Sequence, residues 1–466
     1  VQINDALSST VRTINASQAL DFGVDFSGNT AGVKVTGAAG DNTIDAGSGS
    51  DTITTAGGDD IVTDNGGDNT ISTGAGADLV EFINATLNKN DSVTLGGDAG
   101  DELVINQLAV EADLAGVRGA TTLTIDANGA SVIGAVDATP GTLGEAAGIR
   151  NVNLNVDGIG NANDSLDASG YTTSLTVNLG DVAGTDTVAL GIGDDTVRTA
   201  SFDNSDVLLG DKGNDTIIVE DGVNTITAGQ FKGFERINFL GGEVVGEDQT
   251  LTLSDANAPT TGPLVVDASG LRATTDSKNT ALDETLTFSS TAVTAYSVTV
   301  TGGAAGDTID TSGIKADTVN GGGGNDTITA AGGDVVRGDA GNDTINLGFG
   351  NNDADGGDGK DVINLNAGAG NNTIRGAAGD DRIVINSLVD FTAADIVDGG
   401  ADTDVLSVQG TIGDAVLTSV TNVEVLEARS GAASSITLAD QALEAGIVRV
   451  DLLDATAADT LLVTSK

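Results

Sequence analysis

Between Gly37 and Glu81 an aliphatic residue returns at every ninth position. The units read GAAGDNTID, AGSGSDTIT, TAGGDDIVT, DNGGDNTIS and TGAGADLVE. Their eighth place holds Ile44, Ile53, Val62, Ile71 and Val80. Their sixth place holds Asn42, Asp51, Asp60, Asn69 and Asp78, and their fourth is always glycine, from Gly40 to Gly76. One inward aliphatic per unit predicts a turn over places one to six and a short strand over places seven to nine. Glycine suits the turn because a Cβ disfavours the backbone angles it needs.

The period weakens and returns. Asn90-Asp91-Ser92-Val93 resembles a further unit, and GDAGDELVI puts Glu102 at the sixth place. A second array starts near Gly180, where DVAGTDTVA and LGIGDDTVR place Asp186 and Asp195. After an irregular stretch, GDKGNDTII and VEDGVNTIT place Asp215 and Asn224. The third array is the longest. It places Asp307, Asp317 and Asp326, then AAGGDVVR falls one residue short, then Asp343, Asn352 and Asp361 follow in phase. AGAGNNTIR and GAAGDDRIV place Asn372 and Asp381, and an isolated GGADTDVLS places Asp404.

Between the arrays the pattern changes to alternation. Thr122-Leu-Thr-Ile, Asn151-Val-Asn-Leu-Asn-Val, Ser174-Leu-Thr-Val-Asn-Leu and Tyr296-Ser-Val-Thr-Val read as half-buried strands. Gly148-Ile-Arg-Asn-Val, Gly233-Phe-Glu-Arg-Ile and Thr421-Asn-Val-Glu-Val share a further look, a small or polar residue and an apolar anchor ahead of a strand. Helical pattern is confined to Leu438–Ala445, with Thr437 as its start cap and Gly446 as its end.

The expected fold is all-β, with parallel β-roll or β-helix arrays interleaved with irregular β segments. It is either one long solenoid or several rolls joined by sandwich-like or β-helical pieces. The expected segments are an N-terminal β segment (1–36), a first roll (37–106), a connector (107–179), a second, interrupted array (180–230), a connector (231–300), a third roll (301–386) and a C-terminal β segment (387–466).

The contiguous units with Gly, Asx and an aliphatic at fixed places resemble the repeats-in-toxin (RTX) family, whose nonapeptide is of G-G-x-G-x-D-x-U-x type. The resemblance implies calcium as cofactor, in several copies, with turn carbonyls and the sixth-place side chain as ligands. Ca²⁺ takes six to eight hard oxygens. The implied ligand set is Asn42, Asp51, Asp60, Asn69, Asp78, Asp186, Asp195, Asp215, Asp307, Asp317, Asp326, Asp343, Asn352, Asp361, Asn372, Asp381 and Asp404. Two units make a coil, so the resemblance implies that ligands 18 residues apart share an ion, with Asn42, Asp60 and Asp78 on one edge and Asp51 and Asn69 on the other. Asn offers only a neutral oxygen, so sites built on it bind more weakly or stay empty.

Charge agrees. The chain has 466 residues and a formal charge of −50, with 69 Asp and Glu against 19 Lys and Arg. Such a chain repels nucleic acid and anionic membranes and needs cations to stay compact. His and Cys are absent. That excludes a Ser-His-Asp triad, a Cys-His pair, an H-E-x-x-H zinc site, thiolate metal sites and disulfides. With no Trp, two Tyr and 3% aromatics, little can stack a sugar ring. No enzyme is expected.

No stretch approaches the roughly 20 apolar residues that span a bilayer. VQINDALSST has no basic start and no apolar run, so it is not an N-terminal signal. RTX-like proteins leave the cell by a type I route, which implies an extracellular or cell-surface location. The interrupted arrays resemble RTX-type S-layer proteins. That implies a calcium-dependent subunit of an S-layer or extracellular filament, with copies of itself as partner and cell-surface polysaccharide as a second candidate. The alternative is a spacer or stalk of a giant RTX-like adhesin.

Overall fold

The computed structural model describes residues 2–3, 10–82, 86–107, 111–125, 130–132, 142–154, 165–179, 186–200, 202, 206–220, 222–241, 248–273, 283–366, 368, 370–386, 391–410, 412–429, 435–453 and 460–464. The chain divides into two compact units, Val1–Ile218 with Gln230–Phe234, and Val219–Gly229 with Glu235–Lys466. Each is a β-solenoid in which the described strands pair in parallel.

In the first unit each nonapeptide supplies one strand, and successive strands fall on alternate faces. Phe22–Asp25, Asn42–Asp45, Ile61–Asp64, Leu79–Phe82 and Glu102–Ile105 stack on one face. Lys34–Thr36, Thr52–Thr54, Thr70–Ser72 and Ser92–Thr94 stack on the other. Register matches the period: Ile44 lies opposite Val62 and Ile53 opposite Ile71. Strand side chains alternate, so places six and eight both point inward while place seven points out. In Asn42–Asp45 the residues Asn42 and Ile44 are buried and Thr43 is exposed.

The connectors are coils of the same kind. Leu103 of the first array pairs with Leu123, Leu123 with Val152, Val152 with Val177 and Val177 with Val197. The sandwich-like alternative is therefore not what joins these arrays. The connector coils are longer: Thr124 lies 29 residues from its neighbour Asn153, and Asn153 25 from Asn178, against 18 between array coils. The added length of one coil holds a helical turn, Leu143–Ala147, that the sequence reading missed. The Thr142 hydroxyl accepts the Glu145 N–H, the Glu145 carboxylate accepts the Thr142 N–H, and Gly148 ends the turn at φ 102°.

The second unit repeats the plan. Ile309, Ile328, Ile345, Ile363, Ile383 and Leu406 form one inward column in register, all buried. Val300, Val319, Val336, Ala354, Ile374 and Val397 form the facing column. Each buried aliphatic contributes about 1.5–3 kcal/mol relative to exposure. The expected helix is shorter than its pattern, at Asp440–Glu444, because Thr437 lies in the strand Ser435–Leu438. Its cap is Asp414, whose carboxylate accepts the N–H groups of Ala439, Gln441 and Ala442 at 2.6, 3.2 and 3.1 Å.

The three strand-entry motifs share one turn. Gly148, Gly233 and Asn422 have φ of 102°, 81° and 52°, and the next residue, Ile149, Phe234 or Val423, is fully buried. Residues 155–164, which include Val156, lie outside the described residues.

The fourth-place glycines set how closely coils approach. A Cβ on Gly341 (φ 140°) would lie 1.5 Å from the Gly324 carbonyl oxygen, and one on Gly359 (φ 144°) 1.6 Å from that of Gly341. No side chain fits this column. We expect Gly359→Ala to cost at least the 1–3 kcal/mol of a strained φ, roughly 2–10 °C in melting midpoint for a unit of this size. Gly28→Ala, where nothing lies within 4 Å, should leave it within about a degree or raise it. Thermal unfolding followed by circular dichroism compares the two.

Candidate metal centre

The sixth-place residues are the polar part of the core. All seventeen candidate ligands are buried, none more than 5% exposed. Each sits where the turn enters a strand, one step before the outward seventh residue and two before the inward aliphatic.

One oxygen of each carboxylate extends the sheet into the turn. Oδ1 accepts the N–H of the sixth-place residue one coil earlier. The bonds Asn42 N–H to Asp60, Asp60 N–H to Asp78 and Asp51 N–H to Asn69 measure 2.8, 2.9 and 2.5 Å. Asp195 accepts from Leu175 at 2.7 Å, and the Asp195 N–H donates to Asp215 at 2.8 Å. In the second unit one ladder runs Asp307, Asp326, Asp343, Asp361, Asp381 and Asp404 at 2.7–2.8 Å. A second runs Asp317, Asp334, Asn352, Asn372 and Asp395 at 2.8–3.0 Å.

The ladders contain residues that the sequence reading misplaced or missed. Asp101, not Glu102, is the ladder residue of its coil: it accepts the Asp78 N–H and is fully buried, while Glu102 starts the strand. Counting from Gly97 set the phase one residue late, and the alternating burial of Glu102–Ile105 corrects it. Asp91, Asp334 and Asp395 occupy the sixth place of units with inserted or deleted residues. An Asp two residues before a buried aliphatic was the usable signal in all three.

The other oxygen has no such role. Oδ2 of Asp78, Asp326, Asp343, Asp361, Asp381 and Asp404 is buried without a hydrogen-bond partner. Leaving a buried polar atom unmatched costs about 1–3 kcal/mol, more for a charge. Glycine makes the space beside it. A Cβ at Gly338 would lie 2.3 Å from both Asp343 Oδ2 and the Gly356 carbonyl oxygen. One at Gly376 would lie 2.4 Å from Asp381 Oδ2 and 2.2 Å from the Gly399 oxygen. Anionic and carbonyl oxygens from adjacent coils thus line one gap, which is the donor set of a hard cation. Among the described residues no three acidic side chains converge on one point, so an ion held there would take one carboxylate per coil and the rest of its oxygens from the backbone.

An outer ladder runs the opposite way. The Asp59 N–H donates to Asp41 Oδ1 and the Ala77 N–H to Asp59 Oδ1, both at 2.9 Å. Asn342 and Lys360 donate likewise to Asn325 and Asn342, at 2.7 and 2.8 Å. These fifth-place acceptors are exposed. They tie each coil to the one before it, while the sixth-place acceptors tie it to the one after.

Burial raises the acids of the core. Asp51, Asp195, Asp307, Asp317, Asp361 and Asp404 are pushed up to about 6, and Asp326, Asp334 and Asp381 to about 7, in each case chiefly by loss of hydration. Neighbouring carboxylates add to the rise at Asp326, Asp334, Asp361, Asp381 and Asp404. A carboxyl raised in the folded state binds its proton more tightly there than in the unfolded chain. Its contribution is present below the ordinary value near 4 and is lost as pH rises through 6–7. In chelator the melting midpoint should therefore rise as pH falls from 8 to 5.5, and the gain from added calcium should shrink over the same interval. Circular dichroism melts at the two pH values, with and without calcium, measure both trends.

The family model described as RTX calcium-binding nonapeptide repeat (4 copies) matches residues 34–62, 54–81, 201–233, 329–363 and 364–384. No curated protein matches the chain. The matched stretches contain Asp51, Asp60, Asp78, Asp215, Asp334, Asp343, Asp361 and Asp381. These repeats imply calcium binding and an extracellular, secreted protein. The chain thus carries RTX-type calcium-binding nonapeptide repeats within a parallel β-solenoid.

Proposed function

We propose that this chain is a calcium-set structural protein that assembles with copies of itself outside the cell, as the subunit of an S-layer or an extracellular filament. The observation that carries the reading is the row of buried carboxylate oxygens without partners. An array of like charges in a thin core is unfavourable until cations enter it, so binding energy becomes folding energy. Extracellular calcium modules commonly bind at about 10⁻⁴–10⁻³ M. Such a chain stays unfolded in a low-calcium cell, passes through a type I exporter, and folds outside.

Assembly is supported by the surface. A net charge of −50 opposes close packing of copies. The exposed fifth-place acids, among them Asp41, Asp59 and Asp194, offer oxygens for calcium bridges between subunits. Connector coils of unequal length give the solenoid distinct faces, which a lattice contact needs and a uniform spacer does not. No catalytic role is part of this reading, since the sequence has neither His nor Cys. Among the described residues no helix is long and apolar enough to cross a membrane.

Chelation followed by calcium return tests the reading. Strand signal in circular dichroism should fall with chelator and recover with calcium. Light scattering should then rise at high protein concentration, with ordered arrays visible by electron microscopy. Recovery of strand without assembly favours the adhesin spacer. Strand signal indifferent to chelator sinks the calcium requirement itself.

A further inference from the structure

The two turn edges of the second unit differ in one respect. On the first edge lie Asp326, Asp343, Asp361, Asp381 and Asp404, each with a buried Oδ2 that has no partner. The residue five positions before each is glycine, from Gly321 to Gly399, and a Cβ there would meet that Oδ2 at 2.3–2.8 Å. Asp307 starts this edge, and its Oδ2 accepts the Gly303 N–H at 2.6 Å.

On the second edge the corresponding atoms are used. Asp334 Oδ2 accepts from the Thr311 hydroxyl at 2.9 Å and the Ala331 N–H at 3.1 Å. Asp395 Oδ2 accepts from the Thr392 N–H at 2.8 Å. Between them stand two asparagines. Asn352 Nδ2 donates to the carbonyl oxygens of Gly348 and Gly350, at 3.1 and 3.5 Å, and to Asn372 Oδ1 at 3.3 Å. Asn372 Nδ2 donates to the Gly370 oxygen at 3.4 Å and to Asp395 Oδ1 at 3.2 Å. The orientation of each amide is dictated by the ladder. Oδ1 takes the preceding coil's N–H, so the NH₂ group must face the turn carbonyls. A donor therefore points at the oxygens that a cation would otherwise engage. Leu347 and Ala367 stand five positions before Asn352 and Asn372, where the first edge has glycine.

We propose that calcium in the second unit loads along the Asp326–Asp404 edge alone, and that Asp334, Asn352, Asn372 and Asp395 close the opposite edge by hydrogen bonds and take no ion. This rests on the reading that sixth-place carboxylates are calcium ligands. It divides that role by what the second side-chain atom faces. An amide supplies the positive end of a dipole where the other edge needs a full charge. The unit then has one edge whose order depends on calcium and one edge complete without it.

Equilibrium dialysis of the full chain at saturating calcium tests the division. Asp361→Asn should lower the bound calcium by at least one ion per chain, and Asn372→Ala should leave it at the wild-type number. A loss in Asn372→Ala equal to that in Asp361→Asn overturns the proposal. Anomalous scattering from crystals of the unaltered chain grown in calcium needs no variant to fold. It should place ions beside Asp343, Asp361 and Asp381 and none beside Asn352 or Asn372. Ions on both edges overturn the one-edge assignment alone. A wild-type chain that binds no calcium overturns the calcium reading and this proposal together.

Discussion

The structure depends on a carboxylate that is only half satisfied. From Asp326 to Asp404 on one edge of the second unit, each sixth-place Asp takes an N–H at Oδ1 and buries Oδ2 opposite a glycine. The first bond fixes register between coils; the second oxygen demands a cation. An apolar residue at this place would leave the preceding N–H unmatched in the core, whereas asparagine keeps the register bond and gives up the second carboxylate oxygen. The aliphatic columns supply most of the favourable burial, but one side chain per nine residues makes a core of modest depth. Register, charge and core thickness are consequences of one residue placed two before the aliphatic.

Much of this was legible in the residues. Strict nine-residue spacing from Gly37 to Glu81 identified strands, turns and the two edges, because a period of two places the sixth and eighth residues on one face. Degenerate units were harder. Asp334, Asp91 and Asp395 sit in units of altered length, where counting from the glycines loses phase and only the following aliphatic keeps it. Glu102 shows the same error in reverse. What the spacing could not show is the direction of a side-chain atom. Asp343 and Asp334 look alike as letters. One faces a glycine gap and the other a threonine hydroxyl, because Thr311 belongs to a coil 23 residues away.

The connectors show how one plan absorbs irregular sequence. Their coils gain length at turns and keep the strand register, so Leu103, Leu123 and Val152 continue the column of Ile44, Val62 and Val80. Larger residues fill the extra width, including Tyr171 and Phe231, the latter edge-to-face with Phe234 at 6.5 Å. Carboxylates outside the arrays cap turns instead of facing gaps. Glu235 holds the Thr260 N–H and hydroxyl at 2.8 and 2.7 Å, and Glu145 holds those of Thr172 and Thr173. The same residue type therefore fastens a turn where donors are present and leaves an oxygen open to a cation where they are absent.

Two strands per coil, one on each face, also govern how such a gene can change. Loss or duplication of a pair of units leaves every downstream residue on its own edge. Loss of a single unit moves each later Asp and Asn, together with its own turn residues, to the opposite edge, so that at the junction the ladder of one edge must continue in the residues of the other. Inherited length variation in this chain should therefore come in even numbers of nonapeptides, with the odd ones confined to the irregular coils, where a longer loop can restore the alternation.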